Sequence, residues 1–530
     1  HFSTIDIHQP EVSYTREPME PTQTPRATRA PKEKNISFIV DSIHIRQPRV
    51  HLDSKRGSGS VQLQTQIHQI NLSQTAFNKT ADAAWGLDVG KIYFHAGNTS
   101  LEEDSGMRFS FAGLQTTIFD LHKPASSKLA HFNINKLILD SLHFEQEKKD
   151  NKTVLDSRLI ALTDNTPVAT DKDSILNTIY GMPSLELQGT SVLLDNKARV
   201  IQFMNVNANL PAKSFSADSF RLQPKMDRDS FFATQPIEKD YISVSSGPIQ
   251  ASTVNIIKDN KDTGFAINKL SLDHFFIKAE RDKRRPDDTI LYKPLLAKMI
   301  QKIPFHFAVD TLVLQNSTVW HNVIAEKTGE EGTIFFTDVN GSIGDLRTFR
   351  INNHDSLRIR VYAKLMGKGN LYMRFRQSYS DSLQGFLLAA RMGKFDMPDL
   401  DRILVPLTRI RIARGVIDTL WLQASANDLL AFGSMEIDYR KLHVEKLDKN
   451  EKKQGFISWL ANIIVRTRNR KKGTIYVERL QDKAIFNYWG KIALSGLLTN
   501  IRVASSKKNK KKYEAALKKY QRSPHLLNEE

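Results

Sequence analysis

The sequence predicts a mainly β protein. We expect an elongated repeat array of antiparallel strands that forms a folded-over sheet or a hydrophobic groove, with a few short amphipathic helices. Two observations lead to this prediction. Apolar residues alternate with polar ones over most of the chain, which is typical of half-buried strands. In addition, one short phrase of alternating residues recurs along the chain, and recurrence at a regular phase indicates a repeat architecture.

The clearest copy of this phrase runs from Phe307 to Val319. Its apolar residues fall two apart and so share one face of an extended strand. Asp310 interrupts the alternation, and residues 315–318 are expected to form a polar turn into a second strand. Other copies begin at Phe38, Phe132 and Phe265, with looser ones at Leu87 and Leu185. The polar residue at the interruption is interpreted as structural, because Asp and Asn tolerate irregular backbone.

The first residues of the chain match a repeat copy. The run from Ile5 to Val12 agrees with the run from Ile43 to Val50 in its spacing of Ile, Gln-Pro and Val. We therefore expect the sequence to begin inside a copy. On this hypothesis the natural polypeptide extends further towards the N-terminus, and any anchor or export signal has been removed.

Composition narrows the possible functions. The 530-residue chain has 76 Lys and Arg against 58 Asp and Glu, a formal charge of +18 that favours anionic partners such as lipid headgroups, nucleic acid or acidic glycans. It has no cysteine, which excludes disulfides, thiolate metal sites and cysteine nucleophiles. No run of apolar residues is long enough to predict a membrane-spanning helix.

Turn signals and composition divide the chain into four predicted segments. Residues 1–160 form an N-terminal β-repeat segment, incomplete at its start, with a Pro- and Thr-rich loop at 13–35. Residues 161–350 form a middle β-repeat segment with short helices near 173–180 and 292–302. Residues 351–504 form a C-terminal β region with a helix near 456–467, and residues 505–530 form a basic tail.

Smaller elements are predicted within the C-terminal region. A helical turn is expected at 399–405, closed by Pro406. The runs 484–489 and 492–498 are both interpreted as strands. Gly367 and Gly369 fit a hairpin turn better than a phosphate-binding loop.

Motifs for catalysis are missing from the sequence. It contains no Gly-x-Ser-x-Gly elbow, no phosphate-binding glycine loop and no His-Glu-x-x-His pair. His44 and His51 lie on predicted strands, and no third metal ligand is suitably spaced. We therefore predict a protein that is not an enzyme and that uses no cofactor or metal. An enzyme acting on an acidic polymer would need paired carboxylates, and no pair is singled out.

Part of the chain resembles a known family. The run Ile410-x-Ile412-x-x-Gly415-Val-Ile417, the following run Gly433-Ser-Met435-x-Ile437-x-Tyr439 and the ending with Asn487-Tyr488-Trp489 resemble the AsmA-like family of bacteria with two membranes. The resemblance implies a periplasmic protein anchored in the inner membrane through an N-terminal segment absent from this chain. It also implies a long β-sheet with a hydrophobic trough, and a role in moving phospholipid between membranes or maintaining the outer membrane.

Together with this resemblance, the alternating residues suggest where acyl chains would bind. A phospholipid that leaves a membrane exposes roughly thirty methylenes at about 0.8 kcal/mol each, and an apolar sheet face would cover much of that surface. The residues predicted to line the groove are Phe307, Val309, Leu312, Leu314, Val319, Leu357, Ile359, Leu371, Met373 and Phe375. The alternative is that they fill an ordinary closed sandwich core. On the opposite face of the same strands lie Arg358, Arg360, Arg374 and Arg376.

A second set of residues suggests contact with an anionic membrane surface. The predicted helix near 456–467 is apolar on one side and is followed by a basic run, a pattern that suits a membrane interface. The candidates are Phe456, Trp459, Leu460, Arg466, Arg468, Arg470, Lys471 and Lys472. Aromatic residues are not interleaved with the basic clusters, so nucleic acid is not an expected partner. The alternative is a solvated basic loop.

A second function remains open at this point. The chain could be a structural or scaffold β-protein of the cell envelope that binds protein partners and no lipid. Alternation alone does not separate the two, because a dry core and an open groove both alternate.

Overall fold

A computed structural model describes most of the chain. The described residues are 1–16, 36–56, 59–80, 84–125, 127, 129–162, 166–169, 185–259, 262–287, 291–447, 472–502 and 504–520. The protein is mainly β, as the sequence predicts. The chain divides into two compact units, which we call unit 1 (His1–Phe220) and unit 2 (Arg221–Glu530).

The strands are named in chain order. They are β1 (Phe2–His8), β2 (Glu11–Arg16), β3 (Ile36–Arg46), β4 (Arg49–Arg56), β5 (Gly59–Lys79), β6 (Trp85–Glu103), β7 (Met107–Phe111), β8 (Gly113–Lys123), β9 (His131–Lys148), β10 (Asn151–Leu162), β11 (Thr166–Ala169), β12 (Glu186–Asp195), β13 (Arg199–Asn209), β14 (Ser214–Ala217), β15 (Ser219–Pro224), β16 (Asp240–Ser246), β17 (Ile249–Asp259), β18 (Asp262–Asp273), β19 (Phe276–Asp282), β20 (His306–Ile324), β21 (Glu331–Arg347), β22 (Ser356–Leu365), β23 (Gly369–Ser378), β24 (Phe386–Met392), β25 (Phe395–Asp396), β26 (Ile410–Ala426), β27 (Leu430–Lys446) and β28 (Lys472–Glu478).

The helices of the described residues lie in unit 2. They are α1 (Arg228–Thr234), α2 (Leu296–Gln301), a 3-10 turn (Met397–Leu400), α3 (Asp401–Thr408), α4 (Ile485–Asn500) and α5 (Ser506–Tyr520).

In unit 1, long strands alternate with strands that are split in two. β5 pairs with β3 along one half and with β4 along the other, and β6 pairs with β8 and β7 in the same way. β9 continues the sheet, followed by β10, β12 and β13. These ladders are antiparallel, whereas β1 and β2 lie parallel to β3 and β4.

The parallel ladders align repeat copies with each other. In unit 1, Ile5 lies opposite Ile43 and Val12 opposite Val50, as the sequence match predicts. In unit 2, β18 and β19 pair in parallel with β20, so Phe265 lies opposite Phe307 and Ile277 opposite Val319. Equivalent residues of neighbouring copies are therefore direct cross-strand neighbours, and each apolar position forms a continuous row.

The predicted turn at 315–318 is wrong, because β20 runs through it as one strand. Instead of a turn, β20 contains a bulge at this place. Its residue Asn316 has left-handed backbone, and the pairing of β20 with β21 shifts register between Leu314 and Val319. The same left-handed conformation occurs nine residues after the first Phe of each of four copies. These residues are Gln47 (φ 51°), Ser141 (φ 53°), His274 (φ 52°) and Asn316 (φ 47°).

The polar residue at the interruption of the phrase remains at the surface. Asp310 is exposed and accepts a hydrogen bond from Arg347 Nη2 at 3.0 Å. Asp41 is also exposed and lies 2.8 Å from His1 Nε2. Both are surface contacts within the sheet, in agreement with a structural role.

Unit 2 continues from β20 as one antiparallel series. β20 pairs with β21, and β22, β23, β24, β26, β27 and β28 follow in order. Gly367 (φ 72°) forms the turn between β22 and β23, as the sequence predicts. The helical turn expected at 399–405 extends further than predicted, because α3 includes Pro406 and ends at Thr408.

The prediction of strands at 484–489 and 492–498 is wrong, because these residues form α4. The buried side chains of α4 include Ile485, Tyr488 and Ile492, whose spacing of three and four residues is that of one helical face. These side chains belong to the buried cluster on the apolar face of the sheet, where Tyr488 contacts Phe386 with ring centroids 5.8 Å apart and the neighbouring Trp489 contacts Phe375 at 5.2 Å. The helix therefore covers this part of the sheet and closes a core.

The other predicted boundaries have mixed outcomes. The helix expected near 292–302 is present as the shorter α2, whose start is fixed by Gln384 Oε1 and Gln377 Oε1 accepting from Leu295 N and Ala297 N. A boundary near 160 would cut β10, which pairs with both β9 and β12. Likewise, 350 lies within unit 2.

Some predictions fall wholly or partly outside the described residues. The helices near 173–180 and 456–467 do so entirely, and the loop at 13–35 does so except for Ser13–Arg16, which belongs to β2.

The predicted basic tail contains α5, which packs Tyr513 against Phe432 with ring centroids 3.9 Å apart. Among the described residues, no helix has the length and apolar character required to cross a membrane.

The bulge at Asn316 can be tested with two substitutions that both remove its side-chain hydrogen bond to Asp273 Oδ1. Left-handed backbone strains any residue with a Cβ atom, and glycine is free of that strain. We expect Asn316→Ala to unfold at lower urea concentration than Asn316→Gly, by about 1 kcal/mol in the free energy of unfolding. Equal stability of the two variants would show that the left-handed conformation is not required.

The closure of the core by α4 can be tested within the helix itself. Ile492 is fully buried, whereas Leu494 is 43% exposed. We expect Ile492→Ala to lower the free energy of unfolding by about 3 kcal/mol, because it leaves a cavity in the core. Leu494→Ala is the matched control, with an expected change of less than about 1 kcal/mol in urea denaturation. Similar losses in the two variants would contradict the packing described for α4.

Candidate functional site

Unit 1 carries apolar rows that cross neighbouring strands on one face of its sheet. Each row consists of residues paired directly across adjacent ladders. One row is Ile43, Leu72, Ile92, Ile118 and Ile134. The next is Ile45, Ile70, Phe94, Thr116 and Leu137. A third is Leu63, Leu101, Phe109, Phe144, Leu155 and Val192. We call this surface the row face.

A small buried cluster joins the rows. Ile67, Ala96 and Phe111 are buried, and Phe94 of the second row and Phe109 of the third pack against them. The rows therefore lie on the same side of the sheet. Most of their residues are only half-buried. Within the part of unit 1 that the structure describes, no helix covers them.

Large apolar side chains are also exposed at one end of the same strands. Phe38 is 44% exposed and Trp85 is 46% exposed, and their rings stack with centroids 6.3 Å apart. Exposed large apolar residues that cluster, as opposed to being scattered singly, indicate a binding surface.

The opposite face of unit 1 is polar and its charges are paired. Arg108 Nε donates to Glu102 Oε1 at 2.9 Å, and Lys152 Nζ donates to Glu145 Oε1 at 2.9 Å. The hydrogen bond from Lys152 lowers the pKa of Glu145, and the hydrogen bond to Glu102 raises the pKa of Arg108. These groups are ionised at neutral pH, so this part of the opposite face remains hydrated.

The predicted groove residues of β20 are in part taken up by the protein. Val309 and Leu312 are buried, with exposed fractions of 3% and 8%. Phe307, Leu314 and Val319 are half-buried. The structure therefore leaves some apolar surface along β20, but less than an open groove would have.

The predicted groove residues of β22 and β23 lie mainly in closed cores. Leu357, Ile359 and Phe375 belong to the buried cluster covered by α4, and Met373 packs against it. Leu371 packs against a second buried cluster. The structure does not support an open groove at these residues of β22 and β23. The sequence predicts strands at 484–489 and 492–498, whereas these residues form α4 and contribute to the core. The predicted groove residues of β22 and β23 correspond to the alternative of a closed core.

The predicted membrane-surface residues are almost all outside the described part of the chain. Phe456, Trp459, Leu460, Arg466, Arg468, Arg470 and Lys471 fall there. Lys472 is described: it is exposed at the start of β28, with Nζ 3.8 Å from Glu436 Oε1. The membrane-surface role of the seven other candidates therefore stays a prediction.

The row face was missed as a site although its signal was in the sequence. The copies at Phe38, Leu87 and Phe132 supply β3, β6 and β9, but the strands between them, β5 and β8, were not included. The sequence predicts the groove on the clearest repeat copy, at 307–319, and on the alternating residues of 357–375. The structure shows that copies of the same phrase differ in what covers them.

The row face has no chemistry for bond making. The side chains of its three rows are aliphatic or aromatic apart from Thr116. This face can therefore bind apolar surface but cannot donate or accept protons. Among the described residues, no group of three or more His, Asp and Glu side chains is placed to hold a metal ion. Comparisons with protein-family models, with curated proteins and with solved structures give no match.

Access to the row face can be measured by thiol labelling, because the chain has no cysteine of its own. We expect Ile92→Cys to react with a maleimide in the folded protein at a rate near that of Phe38→Cys, whose position is 44% exposed. Leu357→Cys is the buried control, since Leu357 has an exposed fraction of 0% and should react only after unfolding. If Ile92→Cys reacts as slowly as Leu357→Cys, the row face is closed.

Proposed function

We propose that this protein is a non-enzymatic lipid-binding protein of the cell envelope. On this proposal the row face of unit 1 holds the acyl chains of phospholipid, either for transfer between membranes or for maintenance of the outer membrane. The protein acts in the periplasm and is held to the inner membrane through a segment outside this chain. The single observation that carries the proposal is the half-buried row face without a covering helix in the described residues of unit 1.

The dimensions of the row face suit acyl chains. Its rows extend over seven neighbouring strand positions from β3 to β12. Strands are about 4.8 Å apart, so this surface is about 30 Å wide in the hydrogen-bonding direction. Each methylene moved from water to such a surface contributes about 0.8 kcal/mol. An apolar surface of this kind lowers the free energy of a lipid outside a membrane without any reaction.

The sequence resemblance to the AsmA-like family supports the same proposal. The runs that carry it lie on β26, β27 and α4 of unit 2, where Ile417, Met435 and Tyr488 are buried. These residues build the closed core of unit 2. The resemblance therefore concerns residues of the closed core of unit 2, whereas the proposed lipid binding depends on the row face of unit 1.

A scaffold role is the second candidate, and one observation favours it. In unit 2, α2 and α4 pack on the apolar face of the sheet, and Leu357 and Ile492 are both fully buried. A closed core of this type leaves no apolar surface for lipid at that place. If unit 1 is also covered in solution, the protein would be a rigid β-scaffold that binds envelope proteins.

A charged side chain in the row face should prevent lipid binding. We expect Leu101→Asp to weaken binding of a fluorescent fatty acid by at least about tenfold, because a carboxylate would have to lose its hydration beneath the acyl chain. Native mass spectrometry should detect co-purifying phospholipid on the unaltered protein and less on Leu101→Asp.

Ser100→Asp is the matched control, because it adds the same charge at the neighbouring, exposed position of β6. It should bind lipid like the unaltered protein. Circular dichroism establishes that both variants are folded. The proposal fails if the unaltered protein binds no lipid, or if both variants lose binding to the same extent.

A further inference from the structure

The outer face of unit 2 carries arginines that lie directly opposite each other. Arg358 of β22 is the cross-strand partner of Arg376 of β23, and Arg360 is the partner of Arg374. All four side chains are exposed. They lie on the side of the sheet opposite to the closed core that contains Leu357 and Phe375. We call these four residues the arginine square.

A carboxylate compensates only one of these four charges among the described residues. Arg358 is paired with Asp345. Among the described residues, Arg360, Arg374 and Arg376 form no ion pair, in contrast to exposed basic residues such as Arg440, which is paired with Asp418. Like charges directly opposite on a sheet are destabilising. The repulsion within two such pairs side by side would be relieved by an external anion.

Aromatic side chains extend the square along the same face. Tyr362 and Tyr372 are the next cross-strand pair, and their rings stack with centroids 4.5 Å apart. Arg391 is the neighbour of Tyr372 on β24, and its Cζ lies 4.3 Å from the centroid of the Trp421 ring. Tyr362 is 62% exposed and Trp421 is 49% exposed. Arg391 also has no ion pair among the described residues.

We propose that this face docks on an anionic phospholipid surface, with the arginine square on the headgroup phosphates and Tyr362 and Trp421 at the interface. Guanidinium groups bind phosphate oxygens in a forked geometry, and tyrosine and tryptophan concentrate at the headgroup level of membranes. The preference for a membrane over other polyanions rests in part on the proposed function, whereas the arginine square itself is independent of the row face.

The ring contacts favour a membrane over single-stranded nucleic acid. Stacking of bases needs free aromatic faces. One face of Tyr362 is covered by Tyr372, and one face of Trp421 is covered by Arg391. The exposed edges and tips of these rings suit the headgroup region, where an amphipathic ring needs one apolar and one hydrated side.

Vesicle co-sedimentation of the full chain tests the proposal. The probes are vesicles of phosphatidylcholine with phosphatidylglycerol, and vesicles of phosphatidylcholine alone. We expect binding to the first, with affinity that falls as salt is raised, and little binding to the second. Arg360→Gln with Arg374→Gln should weaken binding roughly 25-fold, about fivefold for each charge removed.

The matched control removes two positive charges elsewhere. Arg108→Gln with Lys197→Gln does so at exposed positions that each face a carboxylate, Glu102 and Asp150. This variant should bind vesicles like the unaltered protein. Equal weakening in both double variants would show a general charge effect and would overturn the proposal. No effect of Arg360→Gln with Arg374→Gln would overturn it as well.

A second readout places the face at the lipid. Brominated acyl chains quench tryptophan fluorescence at short range, and Trp421→Phe should reduce the quenching that anionic vesicles cause. Unchanged quenching in Trp421→Phe would contradict the docking geometry. Inorganic phosphate and a single-stranded oligonucleotide serve as competitors in the same assay. Tighter binding of the oligonucleotide than of vesicles, through the same arginines, would overturn the membrane assignment in favour of nucleic acid.

Failure of this proposal can be told apart from failure of the proposed function. Leu101→Asp alters the row face and leaves the arginine square unchanged, so it should retain vesicle binding while losing the fluorescent fatty acid. Arg360→Gln with Arg374→Gln should show the reverse. A protein that binds anionic vesicles and no fatty acid would retain the docking face and lose the lipid-carrying role.

Discussion

Hydrogen bonding that holds neighbouring strands in one fixed register is the constraint on which the architecture depends. Phe265 lies opposite Phe307 and Ile5 opposite Ile43, so equivalent apolar residues are brought into direct contact across the ladder. A slip by one residue would move every side chain to the other face of the sheet. The bulge at Asn316, with its left-handed backbone, fixes the place at which the pairing of β20 with β21 shifts register.

The same phrase has different surroundings in the two units. In unit 1 its residues build half-buried rows, with only a small buried cluster around Ile67 and Phe111. In unit 2, α2 and α4 pack on the strands that follow β20, and Leu357 is completely buried. A repeat sequence thus determines which face is apolar, and elements outside the repeat determine whether that face is closed. This difference is the reason why we assign lipid binding to unit 1 and surface docking to the outer face of unit 2.

Much of the fold could be predicted from the sequence, because period-two alternation and repeat phase are local properties. They predict the strands and the alignment of the copies at Phe265 and Phe307. The sequence predicts strands in place of α4, because Ile485, Tyr488 and Trp489 are also compatible with a short apolar strand. The candidate site could not be placed in the same way. Alternation at Phe375 and at Leu101 looks alike, and the distant α4, whose Trp489 contacts Phe375, helps to make the first a core residue.

The position of α4 in the chain has a consequence for how unit 2 is made. Its contacts with Phe375 and Phe386 join segments that are far apart in sequence, whereas the strand ladders join neighbours. Local ladders form early and long-range contacts form late. During synthesis the sheet would therefore exist for a time with its apolar side uncovered, in a state prone to aggregation. The folding of unit 2 is therefore completed only after α4 has been synthesised. A nascent chain truncated before Ile485 would be a natural client for a chaperone.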